Sequence, residues 1–212
     1  VFNAVKRIID DQPIKRGETA DTIEFTAQSI SVPDTHVLGV PVDGITYSQW
    51  MQQIHEWVRR SQHPHHVCTV NPEFIMVAQD DPIFFSVLNR ADLCLPDGAG
   101  LLWATRHVGN PVPQRVTGSD GVPLIAQYAA KYGWRLFFLG AGAGIADKAA
   151  DILRQQYPDL NIVGTYGGSP AGFEEEGIVS MINHSRADIL FVAYGAPEQD
   201  KWIARNLPRL NV

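Results

Sequence analysis

Short apolar runs alternate with amphipathic stretches along the chain from about His36 onward. The apolar runs have the length of strands buried on both faces, and the amphipathic stretches have the spacing of helices that cover a sheet. This alternation is typical of consecutive βα units. We therefore predict an α/β fold with a Rossmann-like, mostly parallel sheet flanked by helices and an active-site crevice at the carboxyl ends of the strands.

The same pattern predicts individual elements. Strands are expected over residues 35–40, 65–70, 92–96, 134–140, 160–166 and 188–194. Helices are expected over residues 48–60, 72–79, 82–90, 99–107, 121–132, 145–157, 174–185 and 197–207. Thr46 and Gln49 form a capping box ahead of the first helix, whose Trp50, Ile54 and Trp57 share one face and are interpreted as core. Residues 1–35 are polar without sustained periodicity, so we predict an N-terminal arm before a core of residues 36–212.

Composition narrows the class of protein. The 212 residues are 45% hydrophobic and 19% charged, with a formal net charge of −6. This charge argues against a nucleic-acid partner, and no apolar run approaches the ~20 residues that span a bilayer. A cytoplasmic protein is expected. Cys68 and Cys94 lie within predicted strands and are interpreted as packing residues, and the histidines of residues 63–66 are interpreted as a solvated turn in preference to a metal site.

Polar residues follow several predicted strands and are expected to share one crevice. Thr69 and Asn71 end one strand, and Asp97 follows another. Asp97 is either the cap of the next helix or a general base that accepts a proton from a substrate hydroxyl. Arg115 is expected to pair with a phosphate or with a surface acid, and Gln199 can read sugar hydroxyls from the first turn of a helix.

A glycine-rich turn follows the strand predicted at residues 134–140. Gly140, Gly142 and Gly144 leave backbone N–H groups and a helix N-terminus open to a phosphate, although such turns also serve close packing. Ile145 occupies the place of the third glycine of a dinucleotide fingerprint, and the next strand ends without an acid for an adenine ribose. An NAD-type nucleotide-binding oxidoreductase therefore remains only an alternative.

Six segments in order, TVNPEF, ADLCLPDGAGL, QRVTGSD, FFLGAGAG, PDLNIVG and GAPEQDKW, resemble the WecG/TagA/CpsF family of bacterial glycosyltransferases. The resemblance runs from about Val37 to the last residue. It implies inverting transfer of an N-acetylmannosamine-type hexose from a UDP-sugar to a polyprenyl-diphosphate-linked saccharide in surface polysaccharide synthesis. A non-catalytic sugar-nucleotide-binding protein is the other alternative.

The resemblance also assigns roles to residues. Asp97 matches the proposed base, Thr69 and Asn71 match residues that line the acceptor and sugar pocket, Gln199 matches a pocket glutamine, and the glycines would face the UDP moiety. No cofactor is expected, and because the chain has no DxD motif, a metal is not expected to be required.

Two departures from the family pattern concern the end of the chain. Glu198 stands where the family often has a basic residue, and Asp200 replaces its usual glutamate. The family's arginine-bearing C-terminal appendage does not follow the last residue, so a truncated core is expected. The resemblance implies that this appendage brings the full-length protein to the inner face of the plasma membrane, and it leaves a homo-oligomer open.

Overall fold

The computed structural model describes residues 35–212. The predicted arm of residues 1–35 lies outside this range except for Thr35, which is buried and whose carbonyl accepts the N–H of Val42. The single strand predicted over residues 35–40 is wrong. Leu38 and Gly39 have φ of 50° and 78°, which breaks the extended run into a hairpin.

The elements follow one another as the alternating pattern predicted. The strands are β1 (His36–Val37), β2 (Val40–Pro41), β3 (Val67–Val70), β4 (Leu93–Pro96), β5 (Arg135–Gly140), β6 (Asn161–Tyr166) and β7 (Ile189–Ala193). The helices are α1 (Tyr47–Arg60), α2 (Pro72–Asp80), α3 (Pro82–Leu88), α4 (Ala99–His107), α5 (Gly118–Tyr132), α6 (Ile145–Gln156), α7 (Glu175–Ser185) and α8 (Glu198–Asn206), followed by a 3-10 turn at Leu207–Arg209.

The parallel strands form two sheets. β3 pairs with β4, with Thr69 opposite Leu95, and β5 lies between β6 and β7, with Leu139 opposite Val192. Helices cover both sheets, so the predicted α/β fold class is confirmed. The carboxyl ends of β3, β4, β5 and β7 carry the residues on which the sequence prediction concentrated.

Helix α1 begins as predicted. The Thr46 side chain accepts the Gln49 N–H while the Gln49 side chain accepts the Thr46 N–H, which completes the capping box. Trp50 and Ile54 are buried in a core shared by α1, α5 and the strands, and Trp57 packs against that core while partly exposed. Within residues 35–212, no helix combines the length and apolar character needed to traverse a bilayer.

Candidate active site

Asp97 lies directly after β4, where its backbone N–H donates to the Val70 carbonyl of β3 at 2.7 Å. The helix that follows is capped by Gly98, which has a φ of 125° and provides no side-chain hydrogen bond. The structure therefore does not give Asp97 the role of helix cap that spacing alone made attractive. Its side chain is half-buried at the mouth of the β3–β4 sheet.

Burial raises the pKa of Asp97 above its usual range. A hydrogen bond from the Gly118 backbone N–H and the nearby Arg115 cation act in the opposite direction and hold the carboxylate in its charged form. A desolvated carboxylate with one donor and one neighbouring cation is a stronger proton acceptor than an aspartate in water. This is the electrostatic character that a general base needs.

The Gly118 donor is held by a network at the start of α5. Thr117 caps this helix by accepting the Asp120 N–H, and its hydroxyl donates to the Asp120 carboxylate at 2.9 Å. The Tyr47 hydroxyl accepts the Thr117 N–H at 2.8 Å, and burial raises the pKa of this phenol. The starts of α1 and α5 are thus joined beside Asp97, which fixes the position of its donor.

Thr69, Gly118 and Gln199 come together in one groove, which they line from β3, α5 and α8. Gln199 lies in the first turn of α8, as predicted, and is 7% exposed. Its Oε1 atom is buried without a hydrogen-bond partner within residues 35–212. An unpaired buried amide oxygen costs free energy, so this atom is a natural acceptor for a donor that enters the groove.

Asn71 caps a helix, in addition to the predicted role of lining the acceptor and sugar pocket. Its Oδ1 accepts the Phe74 N–H at 2.9 Å and so caps α2. The Asn71 side chain also lies next to Gly98. A Cβ placed on that glycine would come within 3.9 Å of the Asn71 Cβ. The cap uses the carbonyl oxygen and leaves the amide NH₂ as the group that can contact a ligand near Asp97.

The glycine loop divides into a packing part and an open part. A Cβ on Gly140 would come within 2.7 Å of the Ala193 backbone, so this glycine allows β5 and β7 to approach each other. Gly144 caps α6, and a Cβ added there would meet no heavy atom within 4 Å. Gly142 and Gly144 are both exposed. Of the predicted site residues, Thr69 and Gln199 line the groove, whereas Asn71, Asp97, Arg115 and the three glycines do not, so the predicted single crevice is not seen.

The histidines of residues 63–66 do not behave alike. His63 is exposed, as expected for a solvated turn, but that interpretation is wrong for His66, which is 3% exposed. The His66 Nε2, Cys68 Sγ and Asp200 Oδ1 atoms lie 3.4 Å from one another. No pattern of neighbouring residues in the sequence reveals this group, because Asp200 comes from the distant helix α8.

This buried trio has the composition of a three-ligand metal site. A hydrogen bond with Cys94 and burial raise the pKa of the Cys68 thiol, which favours a protonated group over the thiolate that a metal needs. We interpret the trio as a hydrogen-bonded link between β3 and α8. Cys68 and Cys94 are both buried in their strands, as predicted.

The sequence predicts that Arg115 pairs with a phosphate or with a surface acid and does not decide between them. The side chain is exposed and makes no hydrogen bond or ion pair with another residue of the described range, although its charge acts on Asp97. We expect Arg115→Met to raise the pKa of Asp97 further, and Asp120→Asn to lower it, because the two charges act on Asp97 in opposite directions. Carboxyl titration by NMR measures both shifts, and shifts of the same sign would contradict this electrostatic account.

Comparison with known proteins identifies the family of the chain. The model of the glycosyl transferase WecG/TagA/CpsF family matches residues 35–212. Similar proteins include the N-acetylglucosaminyldiphosphoundecaprenol N-acetyl-beta-D-mannosaminyltransferases of Staphylococcus aureus strains NCTC 8325 / PS 47 and COL, each 27% identical over 168 residues. The match covers 79% of this chain and 65% of each relative, so the chain spans less than two thirds of their length. The chain belongs to the WecG/TagA/CpsF family of glycosyl transferases.

Proposed function

We propose that this protein transfers an N-acetylmannosamine-type hexose from a UDP-sugar to a polyprenyl-diphosphate-linked saccharide, with inversion at the anomeric carbon. The observation that carries the proposal is Asp97, a half-buried carboxylate with a raised pKa and a fixed backbone donor at the end of β4. The names of the relatives describe a β-D-mannosaminyl transfer to a lipid-diphosphate-linked N-acetylglucosamine. That chemistry needs one base and one nucleophilic hydroxyl.

In this mechanism Asp97 removes the proton of the acceptor hydroxyl as its oxygen attacks the anomeric carbon. The bond between that carbon and the diphosphate oxygen breaks on the opposite face, which inverts the configuration. Thr69 and the amide groups of Asn71 and Gln199 orient the two sugars by hydrogen bonds. A single displacement requires no covalent enzyme intermediate, so one carboxylate suffices.

The leaving UDP needs positive charge or N–H donors around its diphosphate. The open N–H groups of residues 142–144 at the start of α6 supply donors, and the Arg115 guanidinium is an exposed cation whose charge acts on Asp97. Glu198, which is 55% exposed and lies 3.7 Å from the Lys201 ammonium, cannot serve. The absence of a DxD motif supports transfer without a divalent ion.

We expect UDP to bind and NAD not to bind. The glycine loop can hold a diphosphate, whereas β6 ends at Tyr166 and is followed by glycines instead of the acid that an adenine ribose requires. Calorimetric titration with UDP, NAD and UDP plus chelator measures this directly. Tighter binding of NAD, or loss of UDP binding on chelation, would show that the loop has been misinterpreted.

A transfer assay tests the reaction itself. Radiolabelled UDP-N-acetylmannosamine and a polyprenyl-diphosphate-linked N-acetylglucosamine are incubated with the protein, and the anomeric configuration of the product is determined by NMR. A β-linked disaccharide from an α-linked donor supports inversion, and an α-linked product refutes it. Binding of UDP without any transfer, unchanged by loss of the Asp97 carboxylate, would favour the non-catalytic sugar-nucleotide-binding alternative.

A further inference from the structure

The trio of His66, Cys68 and Asp200 connects β3 to the first turn of α8. All three residues are buried. The Cys68 thiol donates a hydrogen bond to Asp200 Oδ1 at 3.4 Å, and His66 Nε2 lies 3.4 Å from the same oxygen. One carboxylate oxygen of α8 is therefore shared by a side chain of β3 and by the side chain just before that strand.

The trio lies one residue away from two side chains of the candidate site. Cys68 directly precedes Thr69 in β3, and Asp200 directly follows Gln199 in α8. Successive Cα atoms are about 3.8 Å apart, so a displacement of the trio is passed directly to its neighbours. Because Thr69 and Gln199 line the groove from these two elements, the trio sets the separation between them.

The first turn of α8 is not fixed by a side-chain cap. Pro197 occupies the N-cap position and makes no side-chain hydrogen bond to the helix, where Ser, Thr, Asp or Asn would do so. The Lys201 ammonium lies 2.5 Å from the Asp81 carboxylate, but Asp81 caps α3, so this ion pair fixes α8 to α3 and not to β3. The contacts of Asp200 provide the link from this turn to β3.

Burial makes the trio sensitive to the loss of either donor. A carboxylate that is removed from water requires hydrogen-bond donors, and removal of one partner leaves the buried group uncompensated. Asp200 Oδ2 has no hydrogen-bond partner within residues 35–212, so Asp200 depends on the donors at Oδ1. Removal of the His66 or Cys68 donor therefore favours movement of the first turn of α8 toward water.

We propose that His66 and Asp200 are positioning residues for the sugar substrates and act through Gln199, an inference that rests on the proposed transfer reaction. Asp97 follows β4 and receives its hydrogen bond from Gly118 of α5, so the base and its donor lie outside the trio. Disruption of the trio leaves the proton acceptor in place and weakens the orientation of the sugars by Gln199. It therefore raises KM more than it lowers kcat.

The pair His66→Leu and His66→Gln tests the proposal by steady-state transfer. Leucine removes the donor, whereas glutamine keeps an N–H group close to the position of Nε2. We expect His66→Leu to raise KM for the sugar substrates about 10-fold with kcat within a few-fold of wild type, and His66→Gln to restore KM. Arg205→Met is the matched control, because it removes an ion pair between α8 and Glu175 that does not involve β3, and we expect it to leave KM unchanged.

NMR relaxation tests the link without any use of activity. Order parameters are measured for the backbone amides of Gln199 and Asp200 in the absence of substrate. We expect them to fall from about 0.85, the value of a rigid backbone, to below about 0.6 in His66→Leu, and to stay unchanged in Arg205→Met. Cys68→Ala removes the other donor with the loss of a single sulfur atom, so it serves as the second variant if His66→Leu does not fold, and we expect a change in the same direction.

Unchanged order parameters and KM in His66→Leu and Cys68→Ala would overturn the proposal. Loss of order without a rise in KM, or an equal rise of KM in Arg205→Met, would overturn it as well. A wild-type protein that transfers no sugar would refute the proposed function instead, and the order parameters would still decide whether the trio positions Gln199.

Discussion

Asp97→Asn is expected to lower the turnover of sugar transfer by about 100-fold or more while leaving the fold and the affinity for UDP nearly unchanged. The substitution keeps the shape of the side chain and its capacity to accept the Gly118 N–H, but an amide cannot take up the proton of the acceptor hydroxyl. The measurement is steady-state transfer, with calorimetric UDP binding in parallel.

Glu73→Gln is the matched control. Glu73 is an exposed carboxylate in the first turn of α2, close to Asn71, and we give it no part in the reaction. Wild-type turnover should also fall as the pH decreases through the pKa of Asp97, since only the carboxylate form accepts a proton. This acidic limb should lie above the usual range of an aspartate and vanish in Asp97→Asn. Turnover of Asp97→Asn within a few-fold of wild type would remove Asp97 from the role of base.

Local signals were sufficient to predict the helices and most strands. The capping box at Thr46 and Gln49, and the prolines that open α2 and α3, mark helix starts through nearest-neighbour chemistry alone. The prediction failed at residues 35–40, where an apolar run conceals a turn at Leu38. Backbone dihedral angles depend on later packing, and an apolar pattern does not report them.

The sequence predicted individual candidate residues but not the hydrogen bonds that surround them. Thr69, Gln199 and Asp97 lie at strand or helix ends, where topology places ligands, and their positions follow from the order of elements. The contacts of Tyr47 and His66 did not follow, because each depends on a partner far along the chain. Pairing of this kind is decided by the packing of α1, α5 and α8, which no local pattern contains.

Gly140→Ala is expected to lower the free energy of unfolding by about 3 kcal/mol. Gly140 has a φ of 96°, a conformation that costs an L-residue about 1–2 kcal/mol, and overpacking adds about 1–3 kcal/mol. The added methyl group would meet the carbonyl of Ala193 at 2.7 Å, and this backbone atom cannot rotate away. Denaturation by urea, followed by tryptophan fluorescence, measures the loss.

Gly144→Ala is the matched comparison in the same loop. It has a φ of 73° but no heavy atom within 4 Å of an added Cβ, so only the conformational cost of about 1–2 kcal/mol applies. The difference between the two variants therefore isolates the contact between β5 and β7. Equal destabilisation by both substitutions would show that Gly140 has no packing role beyond its backbone conformation.

The hydrogen bond from Thr117 to the Tyr47 hydroxyl joins residues 70 positions apart and has a consequence for the order of folding. During vectorial synthesis, β3 and β4 can pair before α5 exists, but Asp97 then lacks both the Gly118 donor and the neighbouring charge of Asp120. A proteolytic fragment that ends before Thr117 would thus carry an Asp97 without these two influences on its pKa. The proton affinity of the site is acquired late, as a property of the assembled protein and not of the strand that bears the carboxylate.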